Sequence, residues 1–431
     1  MVAFMSNQPS IFAVPHRRRL AVALAIAAWS TLHDSASADC LRGTAADQVA
    51  AAHAGLDVEW LVQVPFDASR AQVEHVVIDS GLVVVQTGDG NVVAVQSGVA
   101  GPDAPLPGTI LWKHPLDAGA GPFQPAAVGT DIVAVAHGDG VHAFDRTTGQ
   151  ALWSRRFPHL ADAGAAVSGG WVYTPFGEGK LMRLPTNPSR TARPADDQAA
   201  ADAGGDGKPA AKPVRRKGRP RAQKVESLDP IVLEAGGPVS LQPQAFKGGT
   251  LWCTDEGTLV VLDPGGDGWR RNEFFLDRPA AGRPLVHDGA IFVATAEGDL
   301  ARIESREDAA GSLKLVWHVF LDAEPGSMLF ASGERLVVPL GDAGLAVLST
   351  KTGELVWRGP MRGRITAVAG DRIWLVDPTG SLVSFDLETG ALRDRMCLGG
   401  FTFPVVNQAT DRLILASPAG AIVSLKPARA Q

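Results

Sequence analysis

The chain has 431 residues, 45% of them hydrophobic and 20% charged, with a formal net charge of −6 at pH 7. This is the composition of a globular protein and gives no overall basicity for gripping nucleic acid. The 48 glycines and 30 prolines favour turns over long helices, and the 3 cysteines, Cys40, Cys253 and Cys397, include no Cys-x-x-Cys pair, which excludes a disulfide framework and a cysteine zinc site.

Residues 1–38 have the layout of a signal peptide. The basic cluster His16-Arg17-Arg18-Arg19 runs into an uncharged stretch from Leu20 to Trp29, and Ala36-Ser37-Ala38 supplies the small residues a signal peptidase accepts. The stretch is about half the ~20 residues a membrane span needs. A periplasmic or secreted protein is therefore expected. Arg17-Arg18-Arg19-Leu20 also has some likeness to a twin-arginine signal, although an ordinary basic leader accounts for the same residues. Cys40 opens a lipid-anchor reading, against which Asp39 stands where lipidation wants a small residue. Over residues 39–55, Thr44 to Asp47 has the form of a capping box that opens a short helix to about His53, with Gly55 as its stop.

From residue 56 to 430 a unit of about 40 residues recurs. In its second copy Ile132 to Ala136 reads as a half-buried strand, His137-Gly138-Asp139-Gly140 as a tight hairpin and Val141 to Asp145 as the returning strand. Thr148-Gly149 is a second turn, and Ala151-Leu152-Trp153 lies on an outer strand. One turn glycine per unit can be marked at Gly90, Gly140, Gly179, Gly257, Gly298, Gly344, Gly380 and Gly420. Eight such units predict an all-β fold: an eight-bladed β-propeller with four-stranded antiparallel blades. A ring of repeats also explains how so long a chain can avoid a single oversized core.

The one long interval, Gly179 to Gly257, contains residues 186–226, a segment of Pro, Ala, Arg and Lys with almost no large apolar residue. Such a composition predicts a disordered loop inserted in blade 3. It nets +5, concentrated in Lys212, Arg215, Arg216, Lys217, Arg219, Arg221 and Lys224. The loop is a candidate for docking on the acidic remainder of the chain or binding an anionic polymer, with a merely solvated loop as the alternative. The eighth unit ends at Ala421 to Leu425 without an outer strand. Val58 to Phe66 has the outer-strand pattern and no unit before it. The N-terminal strand is therefore expected to complete the last blade, removing an open edge and closing a monomeric ring.

The pattern Gly-x-Leu/Val-x-Ala/Ser-Leu/Phe-Asp-x-x-Thr-Gly-x-x-x-Trp, clearest at Phe144-Asp145, at Thr352-Gly353 with Trp357 and at Phe385-Asp386, resembles the PQQ-like β-propeller repeat family. That family includes quinoprotein dehydrogenases and a lipoprotein of the outer-membrane barrel-assembly machinery. In blade 7 the tryptophan position is expected to hold Arg393. No Trp-Asp dipeptide supports a WD-type repeat. The resemblance implies that Trp60, Trp112, Trp153, Trp317 and Trp357 pack between blades. In the alcohol-oxidising members the quinone rests on two adjacent cysteines beside a calcium ion, and this chain has no Cys-Cys. No catalytic residue, metal ligand or cofactor is therefore expected.

Other chemistry is sparse: the chain contains no His-Glu-x-x-His, no Gly-x-Ser-x-Gly and no phosphate-binding loop. His53, His75, His114, His137, His142, His159, His287 and His318 are scattered among the units. Asp89 and Asp139, the two aspartates with a calcium-like setting, are explained by their Gly-Asp-Gly hairpins. Cys253 and Cys397 fall three blades apart, beyond the ~7 Å a disulfide spans, whereas Cys40 returns beside blade 7 and can reach Cys397. The expectation for function is a non-catalytic scaffold for envelope protein partners, as in the outer-membrane assembly propellers. The alternative is a PQQ-dependent or other quinoprotein oxidoreductase, or a small-ligand receptor, using the central funnel.

Overall fold

The computed structural model describes residues 47–79, 81–98, 105–116, 121–187, 229–265, 268–306 and 312–428. The leader, Cys40, Thr44 and the basic segment from Lys212 to Lys224 lie outside them. A helix, α1 (Asp47–His53), is followed at Gly55, whose φ of +66° suits a residue without Cβ, by strand β1 (Leu56–Gln63).

Seven four-stranded sheets follow in chain order. Blade 1 is β2 (Val73–Asp79), β3 (Leu82–Thr87), β4 (Asn91–Gln96) and β5 (Ile110–Pro115); blade 2 is β6 (Ala127–Val128), β7 (Ile132–His137), β8 (Gly140–Asp145) and β9 (Ala151–Arg156). Blade 3 is β10 (Ala166–Ser168), β11 (Trp171–Pro175), β12 (Lys180–Pro185) and β13 (Ile231–Glu234); blade 4 is β14 (Gln244–Phe246), β15 (Gly249–Cys253), β16 (Thr258–Gly265) and β17 (Gly268–Phe275). Blade 5 is β18 (Leu285–His287), β19 (Ala290–Ala294), β20 (Asp299–Ser305) and β21 (Leu313–Phe320); blade 6 is β22 (Phe330–Ser332), β23 (Arg335–Pro339), β24 (Leu345–Ser349) and β25 (Leu355–Gly359). Blade 7 is β26 (Arg364–Ala369), β27 (Arg372–Val376), β28 (Ser381–Asp386) and β29 (Leu392–Cys397).

Blade 8 joins the two ends of the described chain. β30 (Leu413–Ala416) and β31 (Ala421–Pro427) pair with each other, and β1 adds antiparallel to β31 from Leu56↔Pro427 to Gln63↔Ala421. The innermost strand is reduced to a single bridge, Phe403↔Ala416. The chain is thus an eight-bladed propeller closed by its N-terminal strand.

The core consists of eight apolar layers, one between each pair of neighbouring blades. Val84, Val92 and Trp112 of blade 1 meet Val133, Val135 and Phe144 of blade 2, for example, and Ile414 and Ile422 of blade 8 meet Val83 and Val93 of blade 1. Because each blade is sandwiched, its middle strands are buried on both faces. β7, expected to be half-buried, is buried at every residue, and only outer strands such as β9 alternate. A second difference lies in the blade 2 hairpin, where the positive φ falls at Gly138 (+56°) and Gly140 already belongs to β8.

Candidate functional site

The outer strands carry the interblade tryptophans, and each lies over the turn of the next blade. Trp112 Nε1 donates to Arg146 O (2.8 Å), Trp153 Nε1 to Thr186 O (3.2 Å), Trp317 Nε1 to Thr350 O (3.0 Å) and Trp357 Nε1 to Leu387 O (2.9 Å). Trp60 closes the series from blade 8 to Ser97 O of blade 1 (3.4 Å). The turns are built by the repeat's aspartate: Asp145 Oδ1 accepts from Thr147 N, Thr148 N and Thr148 Oγ1. These bonds from Thr148 hold the Asp145 carboxyl below its usual range.

Most of these outer strands share a bulge just before the tryptophan, so that Val347 pairs Trp357 while Leu348 pairs Leu355. In blade 7 the same register sets Ser384 opposite Asp394 and Phe385 opposite Leu392. The tryptophan position therefore holds Asp394, and Arg393, expected there, is the bulged residue. Asp394 pairs with Arg372 and accepts from Ser384 Oγ (3.1 Å), while Arg393 pairs with Asp386 of its own blade. The missing indole leaves the blade 7 to blade 8 layer to be filled by Ala51 of α1 with Ala54 and Leu56, against Trp374 and Met396.

At the closing strand the bulge falls on Glu59, between Val58↔Leu425 and Trp60↔Ser424. Arg412, immediately before β30, reaches across β31 to grip it with two hydrogen bonds, Nε to Oε2 (2.6 Å) and Nη2 to Oε1 (3.0 Å), and Ser424 Oγ adds a third (3.2 Å). Burial pushes the Glu59 carboxyl up, but Arg412 and Ser424 more than offset it and hold it below the usual range.

The hub is the second feature. The innermost strands of blades 2 to 6 are two or three residues long, so carbonyls near the axis lack ladder partners. Glutamines supply them. Gln86 Nε2 donates to Gln124 O (2.9 Å), Gln124 Nε2 to Ala161 O (3.3 Å), Gln242 Nε2 to Ala165 O (2.7 Å) and Gln408 Nε2 to Leu329 O (2.6 Å), each crossing to another blade. Gln124, Gln242 and Gln408 line a cavity of about 610 Å³ with apolar walls from residues such as Val76, Ile78, Met328 and Phe403, and with Arg283 as its one lysine or arginine.

Of the histidines, His75 alone is among the residues lining this cavity, where its Nε2 bonds Phe123 O (3.1 Å). His137 is buried and stacks on Phe123 with ring centres 4.1 Å apart. His287 and His318 engage Gly333 O and Asp299 in blades 5 and 6. Asp89 accepts from Thr87 Oγ1 (2.5 Å) within its hairpin, and Asp139 stands near Arg156 (3.9 Å). Among the described residues no group of three His, Cys, Asp or Glu side chains is placed to hold a metal ion. The hub residues do not fit the family's quinone: the lining offers no tryptophan, no cysteine pair and a single carboxylate, Glu74. Cys253 is a free thiol in the layer between blades 4 and 5, its pKa pushed up to about 12 by burial. Cys397 is disulfide-bonded.

On the rim, the exposed apolar side chains lie largely on the fourth strands. Phe275 ends β17 and Phe320 ends β21; the residue after each donates its N–H to the hairpin glycine of its own blade, Leu276 N to Gly257 O and Leu321 N to Gly298 O. The two phenylalanines thus occupy equivalent places on adjacent blades, 70% and 63% exposed. Nothing in the repeat pattern distinguishes them from buried outer-strand residues, and Gln124, Gln242 and Gln408 lie outside the strands, where no period can mark them.

Eight blades, interblade tryptophans and Asp-x-x-Thr-Gly turns define a propeller of PQQ-like repeats. Within that class the chain belongs to the family described as outer membrane protein assembly factor BamB, whose model matches residues 60–187 and 308–428. BamB from Moraxella catarrhalis superposes with a TM-score of 0.58 at 16% identity, covering 86% of this chain and 99% of that one. The computationally designed Ika8 protein gives 0.57 at 14% identity over 84% and 98%. No curated protein matches the sequence. Among the described residues no helix is long and apolar enough to cross a membrane.

Proposed function

We propose that this propeller is a non-catalytic scaffold of the cell envelope that binds protein partners on its rim, in the service of outer-membrane assembly. The observation that carries the reading is the exposed pair Phe275 and Phe320, two large aromatic side chains at matching positions of blades 4 and 5. Exposed aromatic anchors are costly in water and are the residues that dominate protein interfaces once covered. The fourth strands also present free edges, to which a partner strand can add. Family membership supports an assembly role, and the signal-like leader supports the periplasmic side of the membrane as its place.

The test is capture of envelope proteins on immobilised protein, compared with a Phe275→Ser, Phe320→Ser double variant. Both positions are exposed, so the variant should melt within about 0.5 kcal/mol of the parent. Partner recovery is expected to drop by roughly tenfold or more. Equal recovery by the two proteins would move the interface elsewhere, and recovery of nothing by either would remove the scaffold reading.

A further inference from the structure

We infer that the hub cavity is a binding site for an organic monocarboxylate with an apolar body, held by Arg283. The site is separate from the rim surface, so it stands or falls independently of the partner reading.

Arg283 reaches the cavity from the segment that leads into blade 5, where its backbone bridges Met328 of the segment leading into blade 6. That approach is tight: a Cβ on the preceding Gly282 would stand 1.9 Å from Ser327 O, so the two backbones fix each other and the root of the arginine. Its guanidinium makes one hydrogen bond, Nη1 to Gln242 Oε1 (3.2 Å), and no carboxylate of the described residues lies within ion-pair distance. Gln242 is itself oriented. Its Nε2 donates to Ala165 O (2.7 Å), and Gly164 makes room for the amide, since a Cβ there would come within 2.9 Å of Gln242 Cδ. The amide oxygen therefore faces the arginine, leaving the other guanidinium donors for a ligand. Burial pushes the Arg283 pKa down, as for a cation short of counter-charge, yet a guanidinium keeps its proton.

Arg283 is half-buried, and a charge drawn partly out of water without an ionic partner is costly; an anion in the cavity would offset that cost. The planar fork matches a carboxylate, and one positive charge balances one negative. Glu74, the other formal charge of the lining, stands with Oε1 2.9 Å from where a Cβ of Gly88 would lie, at the blade 1 hairpin, and forms no ion pair with Arg283. The remaining walls are mainly carbon, from Val76, Ile78, Leu241, Met328 and Phe403, and the volume is in the range of small-molecule sites. These walls favour an apolar body behind the carboxylate. Such a carboxylate comes either from a free acid or from the C-terminus of a peptide.

Calorimetric titration of the full chain with 4-phenylbutyrate, and with a tetrapeptide ending in phenylalanine, tests the assignment. Each is paired with its neutral amide. Saturable binding by either carboxylate is expected, weaker by roughly tenfold or more for the matching amide and for Arg283→Gln. Binding by the acid alone supports a free small acid as ligand, and binding by the peptide alone a chain terminus. Gln242→Glu, which places a carboxylate beside the arginine, should abolish binding if Arg283→Gln does not fold. No saturable binding of either carboxylate, or equal binding by carboxylates and amides, overturns the proposal.

Discussion

At Gly149 the turn and the interblade contact make the same demand. The residue has φ +68°, and a Cβ there would lie 2.5 Å from Trp112 Cγ, so an added methyl must displace the indole as well as strain the backbone. Gly333, φ +54° with no atom within 4 Å of its ideal Cβ, separates the two effects. Gly149→Ala is expected to cost about 2–4 kcal/mol and Gly333→Ala about 1 kcal/mol in chemical denaturation. Equal losses would show that the tryptophan adds no packing demand of its own. The Thr-Gly spacing makes this contact legible in sequence, because turn and tryptophan recur together. Counted from Thr389-Gly390 the same spacing reaches Asp394, so the expectation at Arg393 falls one residue short of what the sequence itself carries, and the bulge in the outer strand agrees with the spacing.

Among the elements, β1 was legible as a strand in search of a blade, since Trp60 sits in an apolar run with no unit before it. Its grip through Glu59 and Arg412 was not, because the two residues are 353 positions apart. The pair makes closure sensitive to acid. The Glu59 carboxyl is lowered in the folded protein, so its contribution is fully present above the unfolded value of about 4.3 and is lost as pH falls through the folded value. Glu59→Gln should therefore cost about 1–3 kcal/mol at pH 7, and the gap between variant and parent should shrink steadily below about pH 4.3. A gap independent of pH would assign the loss to packing. A second tie on the same side of the ring concerns Cys397, which is disulfide-bonded at the end of β29, while Cys253 is free. We propose Cys40, outside the described residues, as its partner. Thiol titration under denaturing, non-reducing conditions should find one thiol per monomer, and three would exclude the bridge.

For the whole molecule, the repeat period made the eight-bladed ring legible, while the hub stayed hidden because its strands are too short for any pattern to develop. The eight apolar layers explain how the ring is stabilised: each blade buries both faces, and no layer is complete without its two neighbours. An open array of repeats can lose its end units one at a time, whereas a closed ring has no end unit to lose. β1 is the element that makes the difference. It carries Leu56 into the layer between blades 7 and 8 and Trp60 into the layer between blades 8 and 1. Deleting Leu56–Gln63 removes both, which together bury enough surface to cost at least ~3 kcal/mol, and exposes the edge of β31. The variant is expected to unfold at a lower midpoint with a shallower, multiphasic transition, as blades 8 and 1 fray before the rest. Trp60→Ala, which keeps the strand and removes one indole, should lower the midpoint while preserving a single transition. If the deletion leaves both midpoint and slope unchanged, the ring draws its cooperativity from elsewhere and the termini do not lock it.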